Sequence, residues 1–179
     1  LRELSDLLDG LKKNELIKVV IVRAAGKVFS SGHDMNELVD RTKADYDELF
    51  QTCCIFMQKI QEMPQPFIAQ VHGVATAAGC QLVAACDLAV AEEGATLQTP
   101  GVLLGFFCTT PAIPLVRAIG RKRALEMLFT GRMITALEAL QFGLVNRVVP
   151  LDRLEAETRD LAARIAGAVG PVSPSIEDR

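Results

Sequence analysis

The stretch IAQVHGVATAAGCQLVAACD, residues 68–87, decides how the fold is interpreted. Residues 67–71 form a short apolar run, which is typical of a buried strand. Gly73 interrupts the run, and a cluster of small residues follows at 75–79. Residues 78–86 are compatible with a helix that has its apolar residues on one face. The stretch therefore predicts a strand, a tight turn and a helix.

The small residues at the start of this helix allow two interpretations. The first N–H groups of a helix lack internal acceptors and carry partial positive charge, so a polarised oxygen placed there meets aligned donors. Alternatively, small residues only permit close packing of the helix. The local pattern leaves both interpretations open.

Length and composition bound the class of protein. The chain has 179 residues, of which 50% are hydrophobic, and this suits one globular domain. The hydrophobic fraction also indicates that some surface is buried in an oligomer. The formal net charge of -3 gives no support for nucleic-acid binding. No unbroken apolar run is long enough to span a bilayer, so we predict no membrane partner.

Cysteine and histidine usage argues against structural metal or disulfide bonds. The five cysteines are odd in number, and none lies in a C-x-x-C pair. This pattern predicts reduced thiols in a cytoplasmic or matrix protein. The two histidines are too few and too far apart in sequence to predict a metal site. The residues concerned are Cys53, Cys54, Cys80, Cys86, Cys108, His33 and His72.

Strands and helices alternate along the rest of the chain, which predicts an α/β fold. Apolar runs predict strands at 19–24, 88–91, 95–99 and 144–149. Helical periodicity and capping residues predict helices at 1–13, 35–63, from Thr109 or Thr110 to Gly120, 121–129, 136–142 and 151–169. The strand at 19–24 is predicted to be buried, and residues 25–34 and 102–108 are predicted to be loops. The apolar loop 102–108 is expected to line a pocket or an interface.

Three separated segments, in this order, resemble the motifs of one family. They are GKVFSSGHDMNEL at 26–38, VHGVATAAGCQLVAACDLAVA at 71–91, and RAIGRKRALEMLFTGRMITALEALQFGLVNRVVP at 117–150. The chain resembles the crotonase, or enoyl-CoA hydratase/isomerase, superfamily over residues 16–170. The combination of SSGHD and ATAAGCQ is similar to one particular subgroup within it.

The resemblance implies a crotonase-like (ClpP/crotonase) α/β spiral of ββα units. Residues 1–170 would form the acyl-CoA-binding core, and residues 171–179 a C-terminal tail. Family members have a β-hairpin before the first helix and further helices after Gly170. We therefore expect the N- and C-terminal parts of the family fold to be missing here. Homotrimers or hexamers are expected as the assembly.

The resemblance also implies an oxyanion hole for a CoA thioester. This thioester would be a substrate or ligand, and no permanently bound cofactor is expected. The backbone N–H groups of His33 and Ala78 would hold its carbonyl oxygen, and such a donor is typically worth about 10²–10³ in rate. Other residues expected to contact the substrate are Ser31, Gly32, Asp34, Met35, Ala77, Gly79, Pro100 and Leu104.

The catalytic acids of the family are missing from the matching positions. Hydratases of the family place and activate water with two glutamates, and here those positions are Gln81 and Gly101. An amide cannot act as a base near neutral pH, and glycine has no side chain. General acid–base groups contribute about 10²–10⁴ each, so efficient hydration is not expected and no catalytic residue is identified. As possible replacements for these acids, Asp34 and Cys108 are interpreted as structural rather than catalytic residues.

Two functional hypotheses remain open at this stage. The first is a lyase- or isomerase-class enzyme of fatty-acid or acyl-CoA metabolism with altered chemistry. The second is a non-catalytic acyl-CoA-binding or regulatory protein. Lys27, Arg41 and Lys43 are candidates for contacts with the CoA phosphates. The expected compartment is the cytoplasm in a bacterium or the mitochondrial matrix in a eukaryote.

Overall fold

A computed structural model describes residues 1–168 of the chain. The helices are α1 (Arg2–Lys12), α2 (Lys43–Gln61), α3 (Ala78–Ala85), α4 (Thr109–Ile119), α5 (Arg121–Thr130), α6 (Ala136–Phe142) and α7 (Leu154–Ala168). The strands are β1 (Val20–Val22), β2 (Phe67–Val71), β3 (Val74–Thr76), β4 (Leu88–Glu92), β5 (Thr96–Gln98), β6 (Met133–Thr135) and β7 (Arg147–Val149). Short 3-10 helices lie at Met35–Leu38, Pro100–Leu104 and Leu151–Arg153. The predicted tail, 171–179, lies outside the described residues.

The strands form two sheets that the chain visits in turn. The first sheet has the order β1-β2-β4-β7 and all its strands are parallel. The second has the order β3-β5-β6, with β3 and β5 parallel and β5 and β6 antiparallel. The chain passes from β2 to β3 before α3, and from β4 to β5 before α4. This repetition confirms the predicted spiral of ββα units.

The first sheet is covered on both faces. Side chains alternate along β2, so Ile68 packs in a cluster with Leu154 of α7. Ala69 and Val71 belong to the main core, together with Val83 of α3. A strand that is buried on both faces is expected to be apolar throughout, and this explains why residues 67–71 were recognisable as a strand.

Two predictions about strands need correction. The predicted tight turn between β2 and α3 contains a strand, β3, and a three-residue strand is too short to show period-two alternation. β6 was missed for the same reason. The predicted burial of strand 19–24 is also wrong, because β1 is an edge strand and its residues are half-buried.

The segment 35–63 is mostly helical, as predicted, but the chain breaks between Leu38 and α2. Asp40 has a positive φ of 51°, which ends any helical path at that point. α2 then starts anew with a capping box, in which the Thr42 side chain accepts from the Asp45 N–H and the Asp45 side chain accepts from the Thr42 N–H. The first turn of α2 is therefore fixed by local hydrogen bonds.

The ends of the later helices follow the sequence more closely. The capping box of Thr135 and Glu138 opens α6, and glycines end α4, α5 and α6. The predicted cap at Thr109 or Thr110 is wrong, because Cys108 occupies the N-cap position of α4 and makes no side-chain cap hydrogen bond. Loop 102–108 is partly ordered as the 3-10 helix Pro100–Leu104.

Gly73 forms the corner at which the chain leaves the first sheet. Its φ is 58°, and a Cβ added there would lie 2.3 Å from the carbonyl oxygen of Lys27. Its N–H donates to the carboxylate of Glu92 at the end of β4. The corner therefore requires glycine for both its backbone conformation and its lack of a side chain.

We expect Gly73→Ala to lower the free energy of unfolding by about 2–4 kcal/mol, because backbone strain and a clash act together. Gly10→Ala is the matched control, since Gly10 lies within α1 and an added Cβ would have no neighbour within 4 Å. This control should raise stability by about 0.5–1 kcal/mol. Urea unfolding measures the free energy of unfolding of both variants. Equal effects of the two substitutions would contradict the conclusion that the corner requires glycine at position 73.

Candidate functional site

The first loop, residues 25–34, is held on β3 by main-chain hydrogen bonds. The Phe29 N–H donates to the His72 carbonyl at 2.9 Å, and the Ser30 N–H donates to the Val74 carbonyl at 3.1 Å. In return, the Thr76 N–H donates to the Ser30 carbonyl at 2.9 Å. The loop therefore extends the second sheet and is brought to the start of α3.

The start of α3 has an unusual backbone. Ala77, at the N-cap, has a φ of 52° and a ψ of −119°, a conformation that costs of order 1–3 kcal/mol for a residue with a side chain. Hydrogen bonds hold it there, from the Ala77 N–H to the Gln98 carbonyl at 2.9 Å and from the Gln81 N–H to the Ala77 carbonyl at 3.0 Å. Ala78 begins the helix, so its N–H has no acceptor within the helix.

The loop and the helix start touch each other through two glycines. A Cβ on Gly79 would lie 2.4 Å from the Ser30 carbonyl oxygen. A Cβ on Gly32, where φ is 92°, would lie 2.9 Å from the Ala77 Cβ and 3.3 Å from the Ala78 nitrogen. The small residues of α3 thus permit close approach, and the backbone that approaches is the first loop. The structure confirms the close-packing interpretation, and a polarised oxygen at the helix start stays a prediction.

A cavity of about 970 Å³ opens beside this contact. Four predicted site residues line it, namely Gly32, His33, Asp34 and Ala78. Residues of α1 and α2 form the opposite wall. Its apolar part includes Leu49, Phe56 and Met57. The cavity therefore has residues of the first loop and the start of α3 on one side and an apolar wall on the other.

Charged side chains surround this cavity. Arg2 pairs with Glu48, and Arg23 pairs with Glu155 at 3.3 Å. Among the candidate phosphate contacts, Arg41 lines the cavity, whereas Lys27 and Lys43 do not. Lys43 instead forms an ion pair with Asp47.

The other predicted contact residues lie outside the cavity lining. Ser31, Met35 and Leu104 are exposed, and Pro100 is half-buried beside the second sheet. Ala77 and Gly79 lie behind the cavity, where they support Ala78 and the first loop. Ser30 was not among the predicted site residues. Its Oγ accepts from the Gly32 N–H at 3.3 Å, and its backbone packs on Gly79. The small size of Gly79 was the signal that could have indicated such a neighbour.

Asp34 has a local structural role. Its Oδ1 accepts from both the backbone N–H and the side-chain amide of Asn36, each at 2.9 Å. It therefore caps the 3-10 helix Met35–Leu38. These hydrogen bonds of the Asp34 carboxylate stabilise the conformation of the loop.

The two positions that matched catalytic glutamates carry no acid and do not line the cavity. Gln81 is 3% exposed, and among residues 1–168 its Oε1 has no hydrogen-bond partner. At Gly101, an added Cβ would lie 2.6 Å from the Cys108 Sγ and 2.8 Å from the Phe106 carbonyl oxygen. The Gly101 N–H donates to that sulfur at 3.3 Å. The space for the second carboxylate is thus filled by the loop that follows it.

The buried thiols are poor nucleophiles. Burial raises the pKa of Cys53 to about 11 and the pKa of Cys80 and Cys86 to about 12. Burial also raises the pKa of Cys108, against the opposing effect of its hydrogen bond with Gly101. Because the thiolate is the reactive form, these residues remain protonated and unreactive at neutral pH. Cys53 lies in the core.

Residues 1–168 show neither a metal-binding cluster nor a membrane-spanning helix. In that range, no three side chains of the His, Cys, Asp or Glu type are grouped to hold a metal ion. In the same range, no helix combines the length and apolar composition needed to cross a bilayer.

Comparison with known proteins decides the family. The model of the family described as "Enoyl-CoA hydratase/isomerase" matches residues 1–172. The chain belongs to the enoyl-CoA hydratase/isomerase family. It is 54% identical to mouse "Enoyl-CoA hydratase domain-containing protein 3, mitochondrial" over 163 residues, which cover 90% of this chain and 54% of the mouse protein. The human protein of that name is 52% identical over 169 residues, covering 94% and 55% of the two chains.

Solved structures of the enoyl-CoA hydratase/isomerase family share the fold. A crystal structure of human enoyl-CoA hydratase domain-containing protein 3 superposes with a TM-score of 0.86 at 49% identity, covering 92% of this chain and 66% of the human one. An enoyl-CoA hydratase from Mycobacterium smegmatis gives 0.89 at 43% identity, covering 92% and 65%. The chain spans about half the length of the curated relatives named above. The predicted crotonase-like fold is confirmed. The similarity indicated by SSGHD and ATAAGCQ is also confirmed, and the subgroup is that of enoyl-CoA hydratase domain-containing protein 3.

Proposed function

We propose that the protein binds a CoA thioester in the cavity beside the first loop. The backbone N–H groups of His33 and Ala78 donate to the thioester carbonyl oxygen. The observation that carries this proposal is the contact between Gly32 and the start of α3, where only 3.3 Å would separate a Gly32 Cβ from the Ala78 nitrogen. A contact this close puts consecutive backbone groups of the loop beside the first N–H of the helix.

Such a pair of donors stabilises negative charge on the carbonyl oxygen. Charge of this kind develops when a base, here water or a bound anion, removes a proton from the carbon next to the thioester, because the product is an enolate. The start of α3 adds the positive end of its helix dipole. The apolar wall of α2 suits an acyl chain, and Arg41 offers a positive charge for a CoA phosphate.

The proposed chemistry excludes efficient hydration. Addition of water needs one group that removes a proton and another that supplies or orients one. Gln81 is buried away from the cavity, and Gly101 is covered by Cys108 and Phe106. The protein is therefore proposed as a family member that stabilises the enolate but hydrates slowly.

The filled space at Gly101 also favours a second candidate function, that of a non-catalytic acyl-CoA-binding or regulatory protein. This function requires the cavity and the donors but no acid–base group. Exchange of the C2 protons of a saturated acyl-CoA with deuterium separates the two functions. Exchange that depends on Gly32 supports an enzyme, whereas tight binding without exchange supports a binding protein.

Assembly and compartment complete the proposal. Exposed apolar side chains cluster after β5 and at the end of α5, namely Leu103, Leu104, Phe106, Phe107 and Phe129. Phe107 and Phe129 contact each other with ring centroids 5.7 Å apart. This apolar patch fits the expected contact between copies in a trimer or hexamer. The proposed compartment is the mitochondrial matrix in a eukaryote, in line with the names of the relatives, or the cytoplasm in a bacterium.

We expect Gly32→Ala to weaken binding of octanoyl-CoA by about tenfold or more, because the new methyl pushes the loop away from Ala78. Gly26→Ala is the matched control, since its φ of 88° is similar but an added Cβ has no neighbour within 4 Å. It should lower stability and leave affinity unchanged. Calorimetry on the intact protein measures both affinities, and an equal loss in the control would show that the close contact is irrelevant to binding.

Hydration of crotonyl-CoA by the wild-type protein should be at least about 10²-fold slower than by a family hydratase that carries both glutamates. A variant with Gln81→Glu, Gly101→Glu and Cys108→Ala should remain slow, because residue 81 lies outside the cavity lining and a side chain at 101 still meets the Phe106 carbonyl oxygen. Absorbance of the enoyl thioester follows the reaction. Fast wild-type hydration that is unaffected by Gln81→Ala would contradict the proposed chemistry.

Phe129→Glu should convert the intact protein from trimer or hexamer towards monomer, because it places a charge in the apolar patch. Leu151→Glu is the control, since Leu151 is similarly exposed, at 63% against 64% for Phe129, and lies outside the patch. Light scattering coupled to size exclusion gives the mass. A monomeric wild-type protein would refute the proposed assembly.

A further inference from the structure

Two aromatic residues of α2, one turn apart, contact the segment that leaves the first loop. The Tyr46 hydroxyl donates to the Leu38 carbonyl at 3.1 Å. The Phe50 ring lies against the His33 ring, with centroids 5.7 Å apart and planes at 89°. Residues four apart in a helix share a face, so Tyr46 and Phe50 hold both ends of segment 33–38 on the same side of α2.

Among the main-chain bonds that hold the first loop on the second sheet, the last one ends at Ser30, before His33. The last of these bonds joins the Thr76 N–H to the Ser30 carbonyl. Gly32 follows with a φ of 92° and only a long bond, 3.3 Å, from its N–H to the Ser30 Oγ. Glycine has more backbone freedom than any other residue. The contact of the His33 ring with Phe50 limits rotation of the peptide between Gly32 and His33, a rotation that would carry the His33 N–H away from the cavity.

The contact with Phe50 also links the two walls of the cavity. His33 belongs to the wall that carries the backbone donors, whereas Leu49 and Cys53, neighbours of Phe50 along α2, line the opposite wall. An edge-to-face pair of rings has a preferred geometry in addition to the apolar area that it buries. It therefore fixes orientation as well as distance between loop and helix.

We propose that the side chain of His33 is a positioning residue that, by its edge-to-face contact with Phe50, holds its own backbone N–H beside that of Ala78. This inference rests on the proposed binding of a CoA thioester. Tyr46 secures the far end of the same segment through Leu38. The imidazole acts here as an aromatic ring, so no proton transfer is required of it.

The test compares two ligands that differ at the carbonyl. Octanoyl-CoA has the thioester oxygen, and S-octyl-CoA, a thioether, lacks it. The ratio of their dissociation constants isolates the contact with the backbone donors. His33→Ala and Phe50→Ala should each reduce the preference for octanoyl-CoA by about 2- to 10-fold, which corresponds to an edge-to-face pair, and leave S-octyl-CoA affinity unchanged.

Two variants make the test specific. His33→Phe keeps a ring against Phe50 and should retain the wild-type preference. Ile55→Ala removes a partly exposed apolar side chain from the same helix and should change neither affinity. If His33→Phe loses the preference as fully as His33→Ala, the imidazole acts through its nitrogen atoms and the inference is wrong.

Amide hydrogen exchange of the ligand-free intact protein provides the second readout. His33→Ala and Phe50→Ala should speed exchange in residues 33–38 by about 2- to 10-fold without affecting α3. Unchanged exchange and unchanged preference in His33→Ala would overturn the inference while leaving the proposed function intact. A wild-type protein that shows no preference for octanoyl-CoA would instead refute the proposed function, and the positioning role with it.

Discussion

The contact between the first loop and the start of α3 is the constraint on which the rest of the structure depends. Gly79 lies so close to Ser30, and Gly32 so close to Ala77 and Ala78, that an added methyl at either glycine would collide with the other segment. The spiral of ββα units brings these backbones together from positions about 45 residues apart in sequence, and Gly73 turns the corner between the sheets. The strained backbone of Ala77 is held by the second sheet through Gln98.

The same contact is compatible with both functions proposed for the site. Backbone donors depend on how the main chain approaches α3, so they persist when side chains change. Acid–base groups depend on side chains alone, and here one is an amide and the other is absent, its space filled by Cys108 and Phe106. Loss of the carboxylates therefore leaves the proposed carbonyl site in place. Phe50 of α2 contacts His33, which lines the cavity on the side of the first loop.

The sequence predicted what depends on local pattern. The buried strand β2, the capping box of α6 and the glycine ends of three helices were all recognisable, and the resemblance of three segments indicated the fold. The sequence did not predict β3 and β6, because three-residue strands are too short to show period-two alternation. It also did not predict the break at Asp40, where a polar residue adopts a positive φ. Ser30 and Phe50 were missed because their importance arises from partners distant in the chain. The filled space at Gly101 likewise depends on how the chain returns at Cys108.

The central claim is that two backbone N–H groups polarise a thioester carbonyl. Isotope-edited infrared difference spectroscopy of octanoyl-CoA labelled with ¹³C at the carbonyl tests it most directly. Hydrogen bonds to the oxygen weaken the C=O bond, so the stretching frequency should fall when the ligand binds to the intact protein. A frequency that stays at its value in water, with the ligand fully bound, would contradict the account.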